Sequence, residues 1–175
     1  MRNLLIVIDM QNDFIDGALG TKEAEGIVER VKDKIRSYPA RNVVITMDTH
    51  GPDYLHTQEG RKLPVEHCIR GTEGWRIRED IAALLTAEAK VYEKPTFGSV
   101  RLARDLLTLS RMEGIALELV GLCTDICVIS NALLLKAMLP EVEISVDASC
   151  CAGVTPESHN AALTAMRACQ INVRN

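Results

Sequence analysis

The chain has no large excess of charge of either sign, no long apolar run and no second cysteine pair at zinc-ribbon spacing, and each absence removes a class of function. Its formal net charge is −4, and short clusters such as Gly60-Arg61-Lys62 are too small to make the basic face that a nucleic-acid backbone requires. Nucleic acid is therefore not an expected partner. No stretch approaches the roughly 20 apolar residues of a membrane span. The opening run from Leu4 meets Asp9 too soon for a signal peptide, so we expect no membrane association and a cytoplasmic location. Cys123 and Cys127 are separated by three residues rather than two, which argues against a structural zinc ribbon. Internal repeats, low-complexity segments and linkers are missing as well.

What is present reads as an ordinary globular protein. The 175 residues are 47% hydrophobic and 25% charged, which suits a single domain over 1–175 that buries its core without disulfide or metal staples. The six cysteines are accordingly read as reduced thiols. Short β-rich apolar runs at 4–8, 43–47, 90–93, 116–121, 142–146 and 171–173 alternate with helical periodicity over 24–38, 80–87, 100–112, 124–139 and 156–169. Continuous apolar strands separated by helices predict an α/β fold, with a parallel sheet of about six strands covered on both faces. The one long irregular stretch, 48–78, carries most of the histidines.

Polar residues then cluster at the expected strand ends, where open parallel sheets bind ligands. Asp9 follows the first strand, Asp48 and His50 the second, Lys94 the third and the Cys123–Cys127 segment the fourth. Thr124 reads as a helix N-cap, which puts Cys127 in a first helical turn, where free N–H groups favour a nucleophilic thiolate. Cys123 reads as a small core residue, as do Cys68, Cys150, Cys151 and Cys169. Asp9 is either a turn acid or the base that a thiol nucleophile needs, and Lys94 either an exposed loop lysine or one held by the turn at Pro95 and Gly98. Asp48, His50 and His67 are either ordinary surface or turn residues or a ligand set for a divalent ion, with zinc first and iron or manganese as alternatives. His56 and Glu59 are weaker candidates in the same loop.

Four segments in this order, "LLIVIDMQNDFIDG", "TMDTH" with "LPVEHCIRGTEGW", "EKPTFGS" and "VGLCTDICV", resemble the isochorismatase-like cysteine hydrolases, and within them the nicotinamidases. The resemblance implies a three-layer α/β/α fold and a catalytic triad of Asp9, Lys94 and Cys127. It implies a cis peptide bond before Cys123 and an oxyanion hole made by the backbone N–H groups of Cys123 and Cys127. It also implies metal ligation by Asp48, His50 and His67 and a substrate-lining role for Phe14. The activity expected is hydrolysis of a small carboxamide through a thioester, nicotinamide to nicotinate and ammonia, in NAD salvage. The alternatives are a ureido, carbamoyl or isochorismate-type substrate, or a non-catalytic member of the family. We further expect a homo-oligomer.

Overall fold

A computed structural model describes all residues 1–175. Six strands, β1 (Arg2–Ile8), β2 (Val43–Asp48), β3 (Lys90–Lys94), β4 (Ile115–Leu122), β5 (Glu143–Ala152) and β6 (Asn172–Arg174), form one sheet in the order β3-β2-β1-β4-β5-β6. Every pairing is parallel. The helices are α1 (Asn12–Ile15), α2 (Lys22–Arg36), α3 (Gln58–Lys62), α4 (Glu79–Ala82), α5 (Val100–Ser110), α6 (Ile129–Met138) and α7 (Pro156–Ala168).

The central strands β1, β2 and β4 are apolar at most positions because both faces are covered, and their side chains alternate between two cores. Leu4, Ile6 and Ile8 of β1 join Leu117 and Leu119 of β4 against Leu102, Leu135 and Leu163 of α5, α6 and α7. Leu5 and Val7 point the other way, with Val120 and Leu122, against Ile27, Val28 and Val31 of α2. The result is the three-layer α/β/α architecture. Thr21 starts α2 by accepting a hydrogen bond from Ala24 N at 3.0 Å, and the apolar stripe of that helix follows from its 3.6-residue period. No helix is long and apolar enough to cross a membrane.

The chain runs outward from β1 to β3, then returns to the centre at β4, so β1 and β4 flank the point where the strand order reverses. Gly121 makes their close approach possible. Its φ is +114°, and a Cβ there would lie 2.1 Å from the Ile8 carbonyl oxygen, so only glycine fits.

Several sequence expectations need correction. The predicted helix 124–139 begins instead with a π-turn, Thr124–Val128, and α6 starts only at Ile129. Cys123, not Thr124, precedes this turn: its carbonyl accepts from Val128 N at 3.0 Å, and the Thr124 hydroxyl pairs with His159 Nδ1 at 2.8 Å instead of capping the turn. Helix 80–87 shrinks to α4. The stretch 48–78 is not wholly irregular, since it holds a 3-10 turn, Tyr54–His56, and α3. Strand β5 runs on to Ala152 because residues 147–150 bulge: Leu119 pairs with Val146, but Gly121 with Cys151. Cys169 is exposed rather than packed.

Candidate active site and metal centre

The sheet order brings the C-terminal ends of β1, β2, β3 and β4 together, and with them Asp9, Asp48, Lys94 and Cys127. Asp9 is fully buried and has φ +49°, a left-handed conformation that an aspartate tolerates better than most residues and that turns the chain at the end of β1. Its Oδ1 accepts from the Thr46 hydroxyl at 2.6 Å, and its Oδ2 lies 2.6 Å from Lys94 Nζ. Lys94, also buried, donates to Cys127 Sγ at 3.4 Å and stands 3.5 Å from Asp48 Oδ1. Of the two readings of Lys94, the held lysine is the one observed.

Burial sets the electrostatics. It raises the Asp9 carboxyl above the ordinary range, although Lys94 pulls in the opposite direction. It works against the Lys94 ammonium, but Asp9, then Cys127 and Asp48, overcome it and leave the pKa of Lys94 raised. Burial and then the Asp9 charge push the Cys127 thiol well up, with Lys94 opposing. The turn's N–H groups, which favour a thiolate, are thus opposed by burial and by the Asp9 charge. Cys123, at the edge of the site, is pushed up by burial to about 12. The Leu122–Cys123 peptide is cis.

Next to this trio, Asp48, His50, Glu59 and His67 place one ligand atom each within 4.8 Å of one another. His50 Nε2 and His67 Nε2 lie 3.0 and 3.5 Å from Asp48 Oδ2, and 3.7 and 3.8 Å from Glu59 Oε1. The His67 Nδ1 is 2.8 Å from the Val65 carbonyl, a contact that takes the proton on Nδ1 and leaves the Nε2 lone pair facing the cluster. Two imidazole nitrogens and two carboxylate oxygens converging in this way suit a divalent ion. Glu59 belongs to the group, whereas His56 is exposed and outside it. Phe14 is buried with its ring centroid 5.6 Å from that of His67.

Three supporting residues escaped the sequence reading. Thr46 is the sole polar residue inside the run Val43–Met47, and a buried hydroxyl there implies a partner. Gln11 clamps the end of β2, accepting from Asp48 N at 2.7 Å and donating to Asp48 O at 2.8 Å. Asn131, 1% exposed, donates to Cys127 O and Phe97 O at 2.8 and 3.0 Å and accepts from Ser99 N at 2.9 Å, tying α6 to the loop that follows Lys94. The sequence signal for Gln11 and Asn131 was only a polar residue beside an apolar stretch. A cavity of about 330 Å³ between α5 and the sheet, lined by Arg2, Tyr92 and Met112, lies at the opposite end of the strands and shares none of these residues.

Residues 3–175 match the isochorismatase domain model. The chain belongs to the isochorismatase family. Among curated proteins it is 33% identical over 144 residues to the isochorismatase family protein PncA of Bacillus subtilis (strain 168), described as uncharacterized, with 75% of this chain and 77% of that one covered. A solved structure of nicotinamidase/pyrazinamidase PncA from Bacillus subtilis superposes with a TM-score of 0.84 at 29% identity, covering 100% of both chains. Pyrazinamidase of Pyrococcus horikoshii in complex with zinc gives 0.81 at 27%, over 99% and 98% of the two chains. The N-carbamoylsarcosine amidase of Thermoplasma acidophilum gives 0.79 at 28%, over 100% and 96%. This isochorismatase-family hydrolase therefore shares its whole fold with amide-cleaving relatives.

Proposed function

We propose that the chain is a cysteine amidohydrolase acting on a small carboxamide, with nicotinamide as the substrate and nicotinate and ammonia as the products. The observation that carries this reading is the position of Lys94 Nζ, 2.6 Å from Asp9 and 3.4 Å from Cys127, with all three side chains buried. Asp9 accepts the thiol proton, its raised pKa making it a better base than an ordinary carboxylate. The Cys127 sulfur attacks the carboxamide carbon, and the backbone N–H groups of Cys123 and Cys127 receive the developing oxyanion. Asp9 then returns the proton to the leaving nitrogen. Ammonia departs as the C–N bond breaks, and water, deprotonated by Asp9, cleaves the thioester to the acid and the free thiol. Lys94 stays charged throughout and balances whichever of Asp9 and Cys127 is anionic.

Asp48, His50, Glu59 and His67 would hold a divalent ion, zinc by donor type, and such an ion supplies an electrophilic position that orients a substrate through a ring nitrogen. Phe14, beside His67, lines the same side of the site. A second reading, cleavage of a carbamoyl amide, is favoured by the likeness to N-carbamoylsarcosine amidase at the same coverage. Ammonia release from nicotinamide, pyrazinamide, benzamide and N-carbamoylsarcosine separates the two. Selective turnover of the pyridine and pyrazine amides supports the first reading, and turnover of N-carbamoylsarcosine alone replaces it with the second.

A further inference from the structure

The π-turn that carries Cys127 is anchored from outside the site. Thr124, the first residue of the turn, is fully buried, and its hydroxyl lies 2.8 Å from His159 Nδ1 on α7. The next residue, Asp125, accepts from Val154 N through Oδ1 and Oδ2 at 3.2 and 3.3 Å. Both contacts fasten the turn to the junction between β5 and α7.

That junction is itself capped and closely packed. Pro156 opens α7, and the Thr155 and Ser158 side chains cap each other's backbone N–H groups at 3.1 Å, a reciprocal arrangement that fixes the first helical turn. The Gly153 backbone packs so closely on His159 that a Cβ at Gly153 would lie 2.9 Å from His159 Cβ and N. His159 therefore has little freedom to move. Burial lowers the affinity of its ring for protons, with Asp125 opposing, so the neutral imidazole and the hydroxyl share the single proton that the contact needs.

We infer that His159 is a positioning residue for the reaction, acting through Thr124 to hold the turn that presents the Cys127 thiol and the backbone of Cys123 and Cys127. The inference rests on Cys127 being the nucleophile. The turn is closed on its own chain by Ile126 N and Val128 N donating to Cys123 O and by Ile129 N donating to Thr124 O and Ile126 O, and the external anchor fixes where those bonds sit relative to Asp9 and Lys94. A displacement of about 1 Å at a reacting atom can cost on the order of 100-fold in rate.

The test uses full-length protein and two readouts: iodoacetamide labelling of Cys127, followed by peptide mass spectrometry, and ammonia release from nicotinamide. His159→Leu should slow both by about tenfold or more with KM little changed, and His159→Asn, whose amide can reach the position of Nδ1, should restore most of the loss. Thr124→Val should reproduce the defect and Thr124→Ser should relieve it, which keeps the test intact if His159→Leu folds poorly. The double variant of His159→Leu and Thr124→Val should be no slower than either single variant, because both break the same contact. Multiplying defects, no rescue by His159→Asn, or unchanged rates in His159→Leu would overturn the inference. A wild-type protein in which Cys127 is unlabelled and nicotinamide is not cleaved would instead remove the reading of Cys127 on which it rests.

Discussion

Lys94 stands 3.5 Å from Oδ1 of Asp48, while the other oxygen of the same carboxylate faces His50 and His67 at 3.0 and 3.5 Å. One carboxylate thus joins the thiol centre to the candidate metal centre through a single buried lysine. Lys94→Met removes the cation from among Asp9, Asp48 and Cys127 and leaves buried acids without a counter-charge. Breaking a buried pair from one side costs about 3–5 kcal/mol, and for a chain of this size each kcal/mol lowers Tm by roughly 2–4 °C. The expected result is a lower Tm together with slower labelling of Cys127. A variant that melts as the wild type does would show that Lys94 is not the charge on which these acids depend.

Cys127→Ala should abolish ammonia release while leaving the melting curve close to wild type, since a buried thiol contributes little more packing than a methyl group. Cys123→Ala should keep most of the activity, because the proposed role of Cys123 lies in its backbone. Reversed behaviour of the two variants, read by ammonia assay and thermal melting side by side, would move the nucleophile to the strand end.

Asp9→Asn preserves the hydrogen bond from Thr46 but cannot take a proton. General-base catalysis is worth about 10²–10⁴-fold, so kcat should fall by that order while substrate binding, measured by calorimetry, persists. A loss of less than about tenfold would make Asp9 a structural acid that merely pairs with Lys94.

Away from the site, Lys34 of α2 bridges two strands, its Nζ lying 2.7 Å from Asp147 and 3.4 Å from Glu118. Burial tends to raise the Asp147 carboxyl, but the bonds from Lys34 and Ser149 and the Lys34 charge together outweigh it, and its pKa is lowered. A carboxylate with a depressed folded pKa contributes stability above its unfolded value, near 4, and loses that contribution as pH falls through the folded value. Lys34→Met should therefore cost about 1–3 kcal/mol at pH 7, with the deficit shrinking below about pH 4 as the stranded acids take up protons. Chemical denaturation at the two pH values measures it, and a deficit independent of pH would point to lost packing of the lysine stem instead.

The fold was legible because its signals are local. Strands buried on both faces are mostly apolar, so the runs near Leu4, Val43 and Ala116 needed no tertiary information, and the stripe Ile27, Val28, Val31, Ile35 marked α2. The misreadings occur where distant contacts decide. Thr124 has the residue type of an N-cap, but its hydroxyl is claimed by His159, which lies 35 residues further on. Residues 147–150 carry no strand signal because they bulge out of register. The same holds for the site. Asp9, Lys94 and Cys127 could be suspected singly from their places at strand ends, yet their mutual distances follow from sheet order. Nor could the sequence show the burial and the Asp9 charge that push the Cys127 thiol up, because these are properties of the assembled site and not of the turn.

In the proposed reaction the four-donor cluster would orient the substrate while Cys127 cleaves the bond, and a substrate comparison tests this division. The four donors lie beside the thiol centre, so an ion there is suited to fixing one end of a small aromatic amide while Cys127 attacks the other. Nicotinamide offers a ring nitrogen to such an ion, whereas benzamide has the same shape and none. Orientation alone can supply large rate factors, so benzamide should be turned over at least about tenfold more slowly by metal-loaded protein. Mass spectrometry of the purified chain should find close to one divalent ion per chain, and His50→Ala should reduce that occupancy whatever the activity. Chelation or His50→Ala should then penalise nicotinamide far more than benzamide and narrow the gap between them. Full occupancy with equal turnover of the two amides would rule out the ring-nitrogen anchor and leave the ion a structural role, clamping Asp48 beside Lys94.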